Sequence, residues 1–464
     1  MTSSDPQPPQ WLVLWRRYAS VVGGAILLIP IAGAAYVGTF ARYLADDFCT
    51  VGSLRELGFW GSQAYWYVNW SGRFAFTFTV NVIEAIGSWL VPVLPSLHLV
   101  GLVVGAGWAF ERWLAPRAAA RVRWAGWLIG GLVVYETIGS APNIYQSLYW
   151  QTGGLTYVLP LVLAVFYAAW ILSLVREDKN PGTGSWLVSS LWMAVAVGFS
   201  ETVGSLIVSA LGGSFLLVWI LGRGGHSRAR QLRLLGAGFV GGVVGMVIVA
   251  AAPGNASRQA LLTPSSSVMV WLTETARNAY IFSVKTLRAD PLRLALGLGL
   301  PLLLTATGGR DGSVSSGEAS YLVRGLLFLF LLPLFTFGLV MACMAPTQYA
   351  MASYPDGRIL ISAQFAVAVG MAVWGAGAGR WLVQHWPAAE ARVPQMSLGT
   401  LSVLAAILLA FTSLQTTRAL LAPLPDARDF AARSDERLAK VIEARQDGVT
   451  SLPVASLTHM GGLD

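Results

Sequence analysis

A chain of 464 residues that is 55% hydrophobic and 12% charged, with mean hydropathy +0.60, carries too little charge to cover a soluble surface of its size. That excludes the soluble classes and leaves a multipass helical membrane protein. Its 50 glycines let helices approach closely, and its 19 tryptophans and 14 tyrosines supply interfacial belts. The net charge of +8 falls in short basic clusters between apolar runs, so it is topology information rather than a nucleic-acid footprint; two cysteines and four histidines show no metal-type spacing.

In chain order, residues 1–17 form a polar, proline-containing tail that ends in Arg16-Arg17 and is assigned to the cytoplasm. Residues 18–39 lack a following small-residue cleavage site, so they read as a retained first span. Segment 40–72 then falls on the extracytoplasmic side. It holds Asp46-Asp47 and an aromatic-rich stretch predicted to form a juxtamembrane helix along the interface, and it leads to Arg73 at the mouth of the next apolar run. Two adjacent carboxylates suit a general base or a cation site, or else a helix N-cap or solvated turn. For Arg73 the choice is between a snorkelling anchor and a guanidinium fork for phosphate. Glu84, deeper in the run, calls for a cavity or a partner.

Further apolar runs near 74–92, 94–113, 124–139, 157–175, 185–199, 203–222, 234–252, 291–307, 322–344, 358–378 and 397–416 predict a bundle of about 11–13 spans. Charged connections at 111–124, 176–184, 223–233, 308–324 and 379–392 are assigned to the cytoplasm. Segments 140–156, 199–203, 253–290 and 345–357, and the chain after 417, join 40–72 on the other side. One step conflicts. If 74–92 and 94–113 both cross, Arg112, Arg117, Arg121 and Arg123 land outside, so either 74–87 is a short helix that does not fully cross or the charge rule fails there. Residues 268–288 are too charged for a comfortable span and predict an amphipathic helix on the membrane.

Polar islands recur on the extracytoplasmic side. Residues 142–160 pair Tyr145, Tyr149, Trp150 and Tyr157 with Asn143, Gln146 and Gln151; aromatic faces plus amides are what a sugar ring needs. Glu136 precedes this island as another intramembrane acid. Ser200-Glu201-Thr202 breaks a long apolar stretch, as a hairpin turn or as a polar group beside a cavity. PGNASR (253–258) and YPDGR (354–358) place Arg258 and Arg358 at helix mouths like that of Arg73. Three such arginines beside an acid pair and aromatic islands point to an anionic lipid head group, a phosphate or diphosphate. After 417 the chain predicts a small extracytoplasmic cap: a helix over 425–448 with Phe430, Leu438, Val441 and Ile442 on one stripe, then a short strand over 449–457.

A first span, an outside loop with paired acids, a juxtamembrane helix and an arginine opening the next helix resemble the GT-C superfamily of integral-membrane glycosyltransferases. DDFC (46–49), WSGRF (70–74), YWQTGGLTYVLP (149–160), SET (200–202), PGNASR (253–258) and YPDGR (354–358) resemble an uncharacterised bacterial multipass group near these enzymes. The resemblance implies an all-α GT-C-like domain over 18–416, with 417–464 as an extracytoplasmic segment. It implies a cell-membrane enzyme that inverts while transferring a sugar from a polyprenyl-phosphate donor to an extracytoplasmic glycan, lipid or protein. Asp47 would be the base, and Asp46 would orient the acceptor or, with Asp47, help hold Mg²⁺ or Mn²⁺. Arg73, Arg258 and Arg358 would take the donor phosphate, and Tyr149, Trp150, Gln151, Asn255 and Glu201 the sugar or acceptor. The competing expectation is a secondary transporter or flippase for an anionic or lipid-linked substrate, with Glu84, Glu136 and Glu201 as coupling groups.

Overall fold

The structure is a computed structural model that describes residues 10–114, 120–176, 182–222, 225–306, 319–385, 395–449 and 451–454. Among these residues every regular element is helical. In order they are α1 (Gln10–Gly38), α2 (Asp46–Asn69), α3 (Phe74–Ile86), α4 (Leu94–Leu114), α5 (Ala120–Gly139), the single turn α6 (Gln151–Gly153), α7 (Leu159–Arg176), α8 (Thr183–Val197), α9 (Glu201–Leu221) and α10 (His226–Ala250). There follow α11 (Gly254–Gln259), α12 (Val268–Ala289), α13 (Pro291–Ala306), α14 (Ala319–Met351), α15 (Leu360–His385), α16 (Gln395–Leu421) and α17 (Leu424–Gln446). Two π-helical turns, Tyr145–Tyr149 and Gly154–Val158, flank α6. Of the strand expected over 449–457, residues 449 and 451–454 have no regular structure, and 450 and 455–457 lie outside the described residues.

Eight of the described helical segments are long and apolar enough to cross a membrane, or nine if the bent pair α12–α13 counts as one span. That is fewer than the 11–13 expected. One physical reason is the 74–92 run, where α3 has only 13 residues. At 1.5 Å per residue that is about 20 Å, well short of a hydrocarbon core of about 30 Å. Gly87, at φ 138°, breaks the helix, and a 3₁₀ turn over Ser88–Val93 turns the chain into α4. The conflict over the arginines after 110 is thereby removed, because α2 and α3 both stay at one end of the bundle. The expected amphipathic segment 268–288 is α12, which meets α13 at 88°.

Interhelical bonds order the bundle. Ser413 Oγ donates to the Ile26 carbonyl at 2.8 Å, Ser190 Oγ to that of Ala237 at 2.8 Å, and Trp374 Nε1 to that of Leu329 at 2.9 Å. These bonds tie α1 to α16, α8 to α10 and α14 to α15 around a core that includes Leu99, Ile129, Leu161, Met193, Val203 and Val340. Such bonds suit an apolar surrounding, where a lone hydroxyl or indole N–H is costly.

The two ends of the bundle differ in charge. At one end Arg176, Arg230 and Arg380 donate to the carbonyls of Glu111, Val175 and Trp113, so the ends of α4, α7, α10 and α15 meet in a basic cluster. The helical stretch from Gln151 to Arg176 has 26 residues, about 39 Å by its rise, so its other end lies a membrane's thickness away. There α2, α3, the 140–158 island, α11, the end of α14 and the turn that follows it come together. The segments grouped by charge in the sequence therefore share one end of the structure.

Candidate functional site

That end contains a cavity of about 1360 Å³. Its wall includes Asp46, Arg73, Trp150, Glu201, Asn255, Arg258 and Arg358, drawn from six separate stretches of chain. Tyr65, Trp66, Trp70, Tyr157 and Tyr349 add aromatic surface, and Met246, Leu262 and Met351 an apolar flank.

The α2 wall is built by helical spacing. Asp46, Cys49, Thr50, Ser53 and Glu56 recur at three- and four-residue intervals, so one helical face looks into the cavity. At Gly58 the helix kinks, with φ 69° and ψ 177°, a conformation essentially confined to glycine. The two halves are stitched across the kink by Ser53 Oγ to Ser62 Oγ at 2.9 Å and Trp66 Nε1 to Ser53 Oγ at 2.8 Å. The kink turns the aromatic half, Tyr65–Trp70, along a second side of the same cavity.

The two aspartates separate. Asp46 is exposed to the cavity, whereas Asp47 is 1% exposed and does not line it. Asp47 Oδ2 accepts from the Leu44 amide at 2.9 Å, while Oδ1 accepts from the Thr152 amide at 3.2 Å and the Thr152 hydroxyl at 2.7 Å. It therefore fastens the 44–47 turn to α6. Burial is the main cause that raises its carboxyl to about 7, partly opposed by the bonds from Thr152 and Leu44. Both Asp47 oxygens face protein donors, whereas Asp46 faces the cavity. Among the described residues no group of three His, Cys, Asp or Glu side chains gathers in ligand range.

The arginines converge. Arg73 donates through Nε and Nη2 to Glu201 Oε2, at 2.8 and 2.7 Å. Arg258 Nη1 lies 3.5 Å from Glu201 Oε1. Arg358 reaches Asp356 at 3.1 Å, and its guanidinium lies 5.5 Å from the centre of the Trp150 ring. Tyr157 is within electrostatic range of all three arginines and of Glu201. Burial opposes charge on Arg73, but the Glu201 carboxylate outweighs it and holds the guanidinium above the usual arginine range. The charge of Arg73, followed by burial, lowers Arg258.

Compared with known protein families, curated proteins and solved structures, the chain finds no match. What the site can do must come from its own geometry.

Several expected contacts are supports rather than walls. Gln151 is 3% exposed and donates to Glu84 at 3.0 Å; Glu84 also accepts from the Tyr43 hydroxyl. Both lie behind the wall, next to Asp47. Tyr149 faces a separate small pocket with Val37, Phe40 and Phe430. Asn255 lines the cavity, but its amide donates to the Val249 carbonyl at 2.6 Å and its oxygen accepts from the Gly72 amide at 3.4 Å. It clasps the end of α10 to the WSGR turn. The clasp needs glycine on both sides: a Cβ on Gly254 would stand 2.8 Å from the Ser71 nitrogen, and one on Gly72 would stand 2.9 Å from the Ala252 Cβ. Glu136 is buried away from the cavity, in electrostatic range of Arg293 and Asp290. Residues that sequence reasoning passed over include Thr152, which receives Asp47, and Glu56, which faces the cavity. The run Asp46, Cys49, Ser53 and Glu56, in steps of three and four residues, was the available signal for Glu56.

Proposed function

We propose that the protein is a membrane glycosyltransferase that uses a lipid-linked phosphosugar. The observation carrying this reading is the gathering of Asp46, Trp150, Arg258 and Arg358 on one cavity wall from distant stretches of chain. A carboxylate, an aromatic face and unsaturated guanidinium groups are the chemistry that a phosphosugar and an attacking hydroxyl require.

In this reading Asp46 is the base, in place of Asp47. Its carboxylate takes the proton of an acceptor hydroxyl as that oxygen bonds to the anomeric carbon. The bond from that carbon to the phosphate oxygen breaks, and its electron pair leaves on the phosphate, which Arg258 and Arg358 receive. The new glycoside has inverted configuration and the lipid phosphate is released. Trp150 offers its ring to the sugar, and the apolar flank at Met246, Leu262 and Met351 suits a lipid chain. Asp47 is a positioning residue, holding Asp46 against the Trp150–Thr152 turn. Since the basic cluster lies at the far end of the bundle, the positive-inside rule assigns the cavity, the α17 cap and the acceptor (glycan, lipid or protein) to the extracytoplasmic face.

The test uses purified protein with a labelled prenyl-phosphate sugar and membrane acceptors. Asp46→Asn should cut transfer by about 10² to 10⁴ while donor binding persists. Transfer that survives Asp46→Asn would remove the base from this scheme. Donor binding with no transfer by the wild type would leave the same cavity to the rival reading, a flippase or transporter.

A further inference from the structure

Three arginines in one cavity repel each other, and the way that repulsion is offset sets them apart. Glu201 lies between two of them. Its Oε2 takes both Nε and Nη2 of Arg73, and its Oε1 faces Arg258 at 3.5 Å. The side chains of Arg73 and Glu201 are only 17% and 24% exposed, so water screens this pair poorly. Arg358 stands outside the arrangement, paired with an Asp356 side chain that is 57% exposed and contributes little in solvent. The lowered affinity of Arg258 for its proton, caused first by Arg73, records the same crowding of positive charge.

We infer that Glu201 is the internal counter-ion of this anion site: it neutralises and fixes Arg73, limits the charge of the anion the cavity accepts, and leaves Arg258 and Arg358 to grip the ligand. The inference rests on the anion-binding reading of the cavity above. Glu201 is thus a positioning and specificity residue rather than a sugar contact. The reasoning is additive. Three guanidinium groups bring three positive charges to the wall, and Glu201 removes one from its buried part. Without that carboxylate, the site gains one net positive charge and Arg73 is released from its two bonds. Anions should then bind more tightly, and multiply charged ones should gain most. A glutamate that merely held the fold together would have the opposite effect, since its loss would weaken binding.

The experiment titrates the purified full-length protein with inorganic phosphate and with pyrophosphate, by calorimetry at two salt concentrations. Thermal unfolding monitors the fold. Glu201→Gln should bind pyrophosphate at least about fivefold more tightly than wild type, with a smaller gain for phosphate and a steeper salt dependence. Arg258→Ala should weaken both. A double variant, Arg73→Gln with Glu201→Gln, removes the pair together and should bind as the wild type does; it also serves if the single Glu201 variant unfolds. Pyrophosphate affinity unchanged or reduced in Glu201→Gln, or lost in the double variant, while the wild type still depends on Arg258, overturns the counter-ion role and leaves the anion site standing. If the wild type binds neither probe, the anion reading fails and the inference goes with it.

Discussion

Asp47 is a residue whose chemistry is strongly altered by its surroundings. Its carboxyl stands at about 7 instead of the ordinary 3.8, chiefly through burial. A carboxyl raised on folding favours the folded state in its protonated form. Its contribution is complete below about pH 4 and is lost as pH rises through 7. Thermal unfolding in detergent should therefore show wild-type stability falling between pH 4 and 7, and Asp47→Asn should flatten that slope. An equal slope in both proteins would mean that Asp47 does not titrate in this window. The same residue shows the reach of sequence reasoning. Arg73, Arg258, Arg358 and Trp150 were legible because a charged or amphipathic side chain at the mouth of an apolar run has few places to go. Which of two adjacent aspartates meets the cavity was not, since successive helical residues point about 100° apart and only the partners Leu44 and Thr152 settle the direction.

At the scale of the element, the decisive features are two breaks. The run at 74–92 is apolar enough to cross, and the arginines after 110 raised the alternative of a short 74–87 helix; Gly87 ends α3 at 13 residues, which is that alternative. The juxtamembrane helix was legible from its aromatic stripe, but the kink at Gly58 that sends its halves along two sides of the cavity was not. Glycine alone tolerates that backbone, so Gly58→Ala should cost about 1–3 kcal/mol or straighten α2. Straightening would swing Tyr65, Trp66 and Trp70 away from the wall shared with Asp46. The expected outcome is a lower unfolding temperature and reduced sugar transfer, with binding of inorganic phosphate at Arg258 and Arg358 retained. Unchanged transfer and stability would show that the kink is not needed. At the other end of the chain, the tail's helical period was legible, yet only Phe430 of its stripe is packed, in a cluster with Leu44 and Trp150. Leu438, Val441 and Ile442 are exposed, because α17 runs past the cluster.

For the whole molecule, the helical membrane class followed from composition, and the sorting of connections by charge corresponds to the two ends of the bundle. Loop charge separates the two ends, and through the positive-inside rule it predicts which compartment each end faces. Cys49 makes that prediction accessible to experiment. It is exposed and lines the cavity one helical turn from Asp46, whereas Cys343, the second of the two cysteines in the chain, is buried. A membrane-impermeant maleimide added to intact cells should label the wild type and not Cys49→Ser. Labelling only after the membrane is permeabilised would put the cavity in the cytoplasm and reverse the proposed orientation. Because Asp46 and Cys49 share one helical face, the bulky adduct should also abolish sugar transfer, while Cys49→Ser remains active and insensitive to the reagent. An adduct that left transfer intact would separate the cavity from the chemistry, even with the orientation as proposed.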